Sequence, residues 1–325
     1  MVYAKARTKP ETLKEGTQER PPAGQQAVPI ARPRVSVIIP ALNEAANIPH
    51  VIAQVPDWVS EVVLVDGFST DGTTEVARRV WPNHHIVVQE RRQGTERRIS
   101  SREERGDRRG KGRALRLVQQ THRGKGNALH SGIAAATGEI IVMMDADGST
   151  DPQEIGRFVD TLVNGADFAK GSRFLRDAGT HDMPRYRQLG NWGLVFLTNI
   201  LFGTRYTDIT YGYNAFWKRH AGALALEIDG WPNEIISNIR VARHGLRVQE
   251  VPSFEHPRLA GEAKLQGVFG VGWQIGREIL RERFRPARMQ TLMSPNHGAP
   301  SVDVTVSGNT ITLRPEEDQS TAIMA

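Results

Sequence analysis

Two aspartates separated by one alanine follow a strongly apolar segment in the middle of the chain. Asp145, Ala146 and Asp147 come directly after residues 139–144. A run of this kind predicts a buried strand, so both carboxylates would project from its carboxyl end. Hard divalent cations such as Mg²⁺ and Mn²⁺ bind carboxylates and share their remaining coordination with phosphate oxygens. The spacing therefore predicts a metal site, and a turn that caps the next helix is the structural alternative.

Other polar residues lie where a phosphate or a nucleoside could bind. Lys125 stands between Gly124 and Gly126, and glycines let the backbone approach a diphosphate while the ammonium adds positive charge. The spacing differs from that of the nucleoside-triphosphate P-loop. Asp66 ends a second apolar segment and could accept hydrogen bonds from a ribose or a base. Asp71 either caps the following helix or contacts the ligand.

The elements that must position these residues alternate between strands and helices. Strands are predicted at residues 35–39, 61–65, 86–89, 139–144, 167–169 and 247–251. Helices are predicted at residues 43–53, 71–80, 127–136, 152–164 and 234–243. This alternation predicts an α/β fold with a Rossmann-like, mostly parallel sheet flanked by helices. Its binding crevice should lie at the carboxyl ends of the strands.

Composition divides the chain into three parts. Residues 1–33 are polar and rich in proline, which predicts a disordered leader, and residues 286–325 form a C-terminal tail in which residues 302–313 suggest a hairpin. Residues 34–285 form the main domain, with an Arg-rich insertion at about residues 90–116. The insertion ends in a near repeat, because RGKGRAL at residues 109–115 returns as RGKGNAL at residues 123–129.

Charge and cysteine content exclude several classes of protein. The 325 residues carry a formal charge of +6, and residues 91–113 alone hold ten Lys or Arg against four Asp or Glu. The remaining chain is therefore formally neutral, so nucleic acid is not expected as a partner. With no cysteine, disulfides and thiolate metal sites are excluded, which fits a cytoplasmic protein. No apolar run reaches the roughly 18 residues of a membrane span, so a soluble protein is expected.

Four motifs in order resemble glycosyltransferase family two. They are VIIPALNE at residues 37–44, VDGFSTDGT at residues 65–73, RGKGNA at residues 123–128 and the aspartate pair. The resemblance covers about residues 34–285 when the insertion is skipped. It implies the GT-A fold and transfer of a hexose from a GDP- or UDP-linked sugar with Mg²⁺ or Mn²⁺. The members of the family often have two adjacent aspartates where this chain has Asp66 and Gly67.

The same resemblance assigns roles in nucleotide binding. It implies that a turn and one strand end line the nucleotide, with Asp66 recognising the base and Glu44 near the ribose. The residues of that turn are Pro40, Ala41, Leu42, Asn43 and Glu44.

Motifs in the second half look like the polyprenyl- or dolichol-phosphate sugar synthase branch of that family. They are GSRF at residues 171–174, DITYGY at residues 208–213, VPSF at residues 251–254 and RLAGEAKL at residues 258–265. The likeness implies that Arg173, Arg258 and Lys264 hold the donor diphosphate or an acceptor phosphate. Ala263 precedes Lys264 where the branch has a serine.

The acceptor decides the mechanism. A polyprenyl phosphate is already ionised at neutral pH, so inverting transfer to it needs positioning and charge stabilisation rather than a base. A hydroxyl of a saccharide or of a small phosphorylated acid would need a base, for which Asp208 and Glu234 are candidates, although both positions also suit helix or strand caps.

A lipid acceptor would bring the chain to the inner face of the membrane as a peripheral protein. Residues 194–202, the Arg-rich insertion and residues 273–284 are candidate contacts, with core packing as the alternative. Two other classes remain open, namely a non-catalytic nucleotide-sugar binding protein and an RNA-binding protein that uses the basic insertion.

Overall fold

The computed structural model describes residues 32–81, 86–89, 113–181, 183–224, 232–261, 268–285, 302–307 and 310–315. The strands are β1 Val35–Ala41, β2 Glu61–Asp66, β3 Ile86–Gln89, β4 Ala114–Gln119, β5 Ile140–Met143, β6 Phe168–Ser172, β7 Gly179–Thr180, β8 Asn214–Trp217, β9 Val248–Pro252, β10 Phe254–Glu255, β11 Val302–Ser307 and β12 Thr310–Pro315. The helices are α1 Ile48–Gln54, α2 Thr73–Val80, α3 Lys125–Ala135, α4 Ile155–Val163, α5 Arg185–Phe202, α6 Ala221–Leu224, α7 Pro232–Arg243 and α8 Val268–Phe284. The predicted leader lies outside these ranges except for its last two residues.

Eight strands form the main sheet in the order β3-β4-β2-β1-β5-β8-β6-β9. Every strand in it runs in the same direction except β8, which pairs antiparallel with both of its neighbours. The predicted α/β fold with a mostly parallel sheet is therefore confirmed.

The order of the strands places a crevice beside β1. The chain leaves β1 for β2 on one side and later returns to β5 on the other side, so the sheet reverses its direction of growth at this strand. Such a switch point opens a crevice at the carboxyl ends of the strands. Ala41 pairs with Asp66, and Ile38 pairs with Met143, so the three strand ends meet at one edge.

Helices cover both faces of the sheet because the strands are apolar on both sides. Val37 and Ile39 of β1 belong to one buried cluster, and Ile38 between them belongs to the cluster on the opposite face. On the second face α3 lies close to the sheet, since a Cβ at Gly132 would come within 2.5 Å of the Ile38 side chain. Glycine at position 132 therefore lets α3 pack closely on β1.

Strand β4 departs from the expectation for the Arg-rich insertion. The predicted boundary of about residues 90–116 overlaps β4, which lies between β2 and β3 in the sheet. Leu115 and Leu117 are buried, whereas Arg116 reaches back to Glu61 at 3.4 Å. The two copies of the near repeat therefore adopt different structures, because Leu115 lies in a strand and its counterpart Leu129 lies within α3. Residues 90–112 lie outside the described ranges.

Two further expectations met different outcomes. Helix α1 begins at Ile48 rather than at Asn43, because Asn43 has a positive φ of 53°, which a right-handed helix excludes. The predicted hairpin in the tail is confirmed, since β11 and β12 pair antiparallel.

A third buried cluster lies under α5, α7 and α8, where Val195, Ile239 and Ile279 meet. Within the described ranges no helix combines the length and the apolar character that crossing a bilayer requires.

Candidate functional site

The carboxyl end of β5 carries the two aspartates at the crevice. The whole of β5 is buried, and Ala146 is buried as well. The aspartates on either side of that alanine are more exposed. The side chain of Asp145 is 35% exposed and that of Asp147 is 14% exposed. The two carboxylates thus stand at the sheet edge where the sequence predicted them.

Lys125 at the start of α3 binds two carboxylates at once. Its Nζ lies 2.7 Å from Oδ1 of Asp145 and also pairs with Oε1 of Glu234 on α7. Burial would lower the pKa of Lys125, but the negative charges of Asp145 and Glu234 outweigh it and raise that pKa above its ordinary value. Lys125 is therefore a permanent cation that connects the end of β5 to α7.

Arg258 forms a second bridge on the other side of the aspartate pair. One guanidinium nitrogen lies 2.8 Å from Oδ2 of Asp147, and the other lies 3.2 Å from Oε1 of Glu44. The remaining oxygen of Asp147 accepts hydrogen bonds from the backbone N–H of Ser149 at 3.0 Å and from its hydroxyl at 2.7 Å. Arg258 thereby joins the end of β5 to the turn that follows β1.

The segment around Arg258 is held against the sheet edge by backbone contacts. The N–H of Leu259 donates to the carbonyl of Asp147 at 3.1 Å, and Asn47 donates to the carbonyl of Ala260 at 3.1 Å. Gly148 has a φ of 77°, and a Cβ there would come within 2.5 Å of the Leu259 side chain. Glycine is therefore required at this turn for its conformation and for the close approach of Leu259.

The two neighbouring negative charges of Asp145 and Asp147 favour the binding of cations. Burial and the nearby charge of Asp145 raise the pKa of Asp147 above its ordinary value. For Asp145 burial also opposes ionisation, but Lys125 outweighs it and lowers the pKa. Two such oxygen donors suit Mg²⁺ or Mn²⁺. Among the residues described, no cluster of three or more acidic or histidine side chains could hold an ion, so phosphate oxygens of a ligand would have to complete its coordination.

The turn after β1 and the turn after β2 are tied together by hydrogen bonds. Asp66 is buried and accepts hydrogen bonds from the N–H groups of Phe68 at 3.1 Å and Ser69 at 3.2 Å. Asn43 accepts from the N–H of Thr70 at 2.8 Å, and its own N–H donates to the Ser69 hydroxyl at 2.9 Å. Phe68 takes a positive φ of 66°, which is uncommon for a bulky residue and marks a tightly constrained turn.

Glycine at position 67 has a structural reason. A Cβ there would lie 3.1 Å from the carbonyl oxygen of Ala41 and 3.2 Å from the side chain of Leu42. The N–H of Gly67 also donates to that carbonyl at 2.7 Å. A side chain at position 67, where this chain departs from the pattern of the family, would therefore require a shift of a few tenths of an ångström in the turn after β1.

Asp71 takes part in the local turn. It accepts hydrogen bonds from the N–H of Ala45 at 2.9 Å and from the N–H of Thr73 at 3.0 Å, at the start of α2. These contacts hold the turn that carries Glu44 against the start of α2, whose N-cap residue is Gly72 rather than Asp71.

Arg173 and the buried Asp208 form a second network, called the internal network, and the charge of Arg173 also lowers the pKa of Asp145. All three guanidinium nitrogens of Arg173 have acceptors, because it contacts both oxygens of Asp208 at 2.7 and 3.0 Å, both oxygens of Glu255 at 3.0 Å and the hydroxyl of Thr210 at 2.9 Å. Its guanidinium also stacks on the ring of Tyr211 at 4.6 Å. Burial would raise the pKa of Asp208, but Arg173 outweighs it and holds that pKa below its ordinary value.

The structure divides the sequence-predicted residues into three groups. The first group meets at the crevice and consists of Glu44, Lys125, Asp145, Asp147, Glu234 and Arg258. The second group supports it: Pro40 and Ala41 end β1, Gly126 lies buried in α3, and Asp66 and Asp71 hold turns. The third group, Arg173 and Asp208, forms the internal network. The binding role of Arg173 stays a prediction. Lys264 lies outside the described residues.

Sequence reasoning missed Ser149 and Glu255. Ser149 donates to Asp147, and an Asp-Gly-Ser turn is a pattern from which that contact could have been expected. Glu255 neutralises Arg173 from 82 positions away and also accepts from the hydroxyl of Thr180 at 2.6 Å. Nothing local in the sequence indicates these long-range contacts.

Two known proteins are related to this chain in sequence. An undecaprenyl-phosphate mannosyltransferase from Micrococcus luteus is 29% identical over 243 residues, which is 72% of this chain and 88% of that protein. A dolichol-phosphate mannosyltransferase from Pyrococcus furiosus is 26% identical over 239 residues, which is 72% of this chain and 60% of that protein.

Solved structures with the same fold come from another enzyme. The glucosyl-3-phosphoglycerate synthase of Mycobacterium tuberculosis in complex with phosphoglyceric acid gives a TM-score of 0.56 at 20% identity, with 87% of each chain covered. The same enzyme in complex with Mg²⁺ and uridine diphosphate gives a TM-score of 0.55 at 20% identity, with 87% of this chain and 88% of that one covered. At this level of identity the likeness concerns the fold, which is GT-A.

The family itself follows from a match over most of the folded region. The model of "Glycosyl transferase family 2" matches residues 36–100 and 104–223, more than half of the chain, and these ranges contain both turns, Lys125 and the aspartate pair. The chain belongs to glycosyltransferase family 2 and is a glycosyltransferase.

Proposed function

We propose that this glycosyltransferase moves a hexose from a nucleoside-diphosphate sugar to a polyprenyl phosphate, with inversion at the anomeric carbon. An oxygen of the acceptor phosphate forms the new bond to that carbon as the bond to the diphosphate breaks, and the nucleoside diphosphate leaves. Two relatives are named as mannosyltransferases that act on undecaprenyl or dolichol phosphate, which supports an acceptor of this class.

The observation that carries the choice of acceptor is the state of the two candidate bases. Asp208 is completely buried, accepts two hydrogen bonds from Arg173 and has a lowered pKa, so it is a poor proton acceptor. Glu234 is paired with the ammonium of Lys125. A phosphate acceptor is already ionised and makes no demand on either carboxylate.

The residues of the crevice divide the remaining work. Asp145 and Asp147 would hold Mg²⁺ or Mn²⁺, which stabilises the charge of the departing diphosphate. Lys125 and Arg258 add two positive charges beside that pair, where a diphosphate needs compensation. The turns that contain Glu44 and Asp66 would bind the nucleoside.

A second candidate is transfer to the hydroxyl of a small phosphorylated acid. The structures of the glucosyl-3-phosphoglycerate synthase support it through the common fold alone. Glu234 would then act as the base. Lys125, which pairs with both Glu234 and Asp145, would first have to move to a ligand to release it.

A direct transfer assay distinguishes these functions. The full chain is incubated with radiolabelled GDP-mannose or UDP-glucose, with Mn²⁺ or Mg²⁺, and with polyprenyl phosphate in detergent, 3-phosphoglycerate or a saccharide. We expect label in the lipid fraction, loss of transfer in a metal chelator, and loss in Asp147→Asn. The control is Asp160→Asn, an exposed aspartate on α4. Label in 3-phosphoglycerate with none in the lipid would overturn the proposed acceptor.

A further inference from the structure

The outer face of α5 is apolar and exposed over most of its length. Leu189, Trp192, Phe196 and Ile200 follow each other at helical spacing, and each is between 57% and 70% exposed. The rings of Trp192 and Phe196 stack with centroids 6.0 Å apart. After Arg187 the helix contains no charged residue. A stripe from Leu189 to Ile200 is roughly 16 Å long, which is far more apolar surface than scattered single residues present.

Helix α8 presents a matching face beside it. Trp273 is 78% exposed and Phe284 is 80% exposed, and Leu280 lies between them at helical spacing on the same side. The opposite sides of both helices are buried in the same cluster, through Val195 of α5 and Ile279 of α8. The two helices pack against each other, and both exposed stripes face away from that cluster.

The charged residues of these two helices are mainly arginines. The two helices carry five arginines, at positions 185, 187, 277, 281 and 283, and two glutamates. Glu282 is buried against Arg240 and Arg243 of α7, so only Glu278 offsets the arginines at the surface, where it lies 2.6 Å from Arg281. An apolar face with arginines at its margin suits an interface with anionic lipid headgroups.

The inner side of α5 is connected to the internal network of the site. Asn191 is buried and accepts hydrogen bonds from the N–H of Ile209 at 3.2 Å and from the hydroxyl of Thr210 at 3.0 Å. Thr210 in turn accepts from Arg173. The exposed stripe is thus separated from the second half of the site by the thickness of one helix.

From this juxtaposition we infer that the joint face of α5 and α8 is a membrane-docking surface that lies flat on an anionic bilayer. The aromatic and aliphatic side chains enter the interfacial region, while the arginines contact the headgroup phosphates. The inference rests on the proposed function for its purpose, since a surface of this kind would bring the crevice to an acceptor that is held in the bilayer.

Vesicle flotation tests this surface without any turnover. The full chain is mixed with vesicles of phosphatidylcholine alone or with 30% phosphatidylglycerol, both free of polyprenyl phosphate. We expect flotation with the anionic vesicles, and a loss of at least tenfold in affinity for Trp192→Glu/Phe196→Glu and for Trp273→Glu/Phe284→Glu. Arg277→Gln/Arg281→Gln should weaken binding to anionic vesicles roughly fivefold per arginine. The control is Trp58→Glu, an exposed tryptophan before β2, which should float as the unaltered protein does.

Three further measurements make the outcome decisive. Circular dichroism and binding of GDP or UDP should be unchanged in all variants, because the altered side chains are exposed. Sedimentation equilibrium identifies the alternative occupant: a dimer that the Trp192→Glu/Phe196→Glu variant dissociates, with no flotation, would overturn the inference. Transfer to polyprenyl phosphate in detergent separates the two proposals. If the unaltered protein transfers the sugar but does not float, only the docking surface is refuted. If it floats, the variants do not, and no sugar is transferred, only the acceptor is refuted.

Discussion

Two of the clusters in which arginine or lysine meets carboxylates, one at the crevice and one in the internal network, differ in how far their cations are exposed. At the crevice, the side chains of Lys125 and Arg258 are 34% and 20% exposed. In the internal network, the side chain of Arg173 is 3% exposed and each of its three guanidinium nitrogens has an acceptor within the protein. We expect the first set of cations to exchange carboxylates for a ligand, and we expect Arg173 to stay with its partners within the protein. Residue type alone therefore does not distinguish a binding cation from a structural one.

The largest effect on stability is expected at the internal network. Arg173→Ala should lower the free energy of unfolding by about 3–5 kcal/mol, because it leaves the buried carboxylate of Asp208 without its partner. Urea unfolding measures this change. The matched control is Arg247→Ala, which removes a mostly exposed arginine 3.0 Å from Asp167 and should cost about 1 kcal/mol or less. A stable Arg173→Ala protein with weakened donor binding would show that the two clusters do not differ as described.

The crevice should show the opposite behaviour. Lys125→Ala is expected to reduce kcat/KM roughly 100-fold, because a cation beside the departing diphosphate is lost, while unfolding changes little. Lys125→Arg should recover part of the activity, since it keeps the charge. Steady-state kinetics and urea unfolding on the same preparations provide both values. Strong destabilisation with unchanged kcat/KM would place Lys125 with the structural cations instead.

A smaller effect is expected at Arg258. Arg258→Lys keeps the positive charge but loses the two-armed bridge between Glu44 and Asp147. We expect KM for the nucleotide sugar to rise about tenfold, with kcat changed less, because the lost hydrogen bonds serve mainly to bind the donor. Initial rates over a range of donor concentrations measure both constants. An unchanged KM would indicate that Arg258 does not contact the donor.

The smallest and most specific difference concerns pH. Because the folded pKa of Asp208 lies below its ordinary value, its contribution to stability is complete above the unfolded pKa of about 3.9 and is lost as the pH falls through the folded pKa. Unfolding of the unaltered protein and of Asp208→Asn should therefore differ most near neutral pH. We expect that difference to narrow below about pH 4. A difference that stays constant down to pH 3 would contradict the ionised state of Asp208.

Much of the fold could be predicted because it is encoded in local patterns. Polar residues lie at or shortly after the ends of the apolar runs of β1, β2 and β5. Both the parallel sheet and the position of Asp145 and Asp147 therefore follow from a few adjacent residues. Strand β4 was missed because its six residues follow an Arg-rich stretch and begin inside a near repeat. The start of α1 was placed too early because the sequence does not reveal the positive φ of Asn43.

The site was less predictable than the fold, since its contacts are long-range. Glu44 and Arg258 are 214 positions apart, and Arg173 meets Asp208 and Glu255 across 35 and 82 positions. A sequence can present Arg173 as a cation suited to a phosphate, but it does not show that three acceptors already surround it. The separation of the two clusters is therefore information that only the folded chain contains.

Manganese binding tests the central claim most directly. Electron paramagnetic resonance measures free Mn²⁺ while the full chain is titrated in the presence of excess UDP or GDP. The account predicts that the unaltered protein binds one ion with the nucleotide, that Asp145→Asn/Asp147→Asn does not bind it, and that the exposed control Asp160→Asn binds as before. Equal binding of Mn²⁺ by the double variant and the unaltered protein would contradict the assignment of the ion to the end of β5.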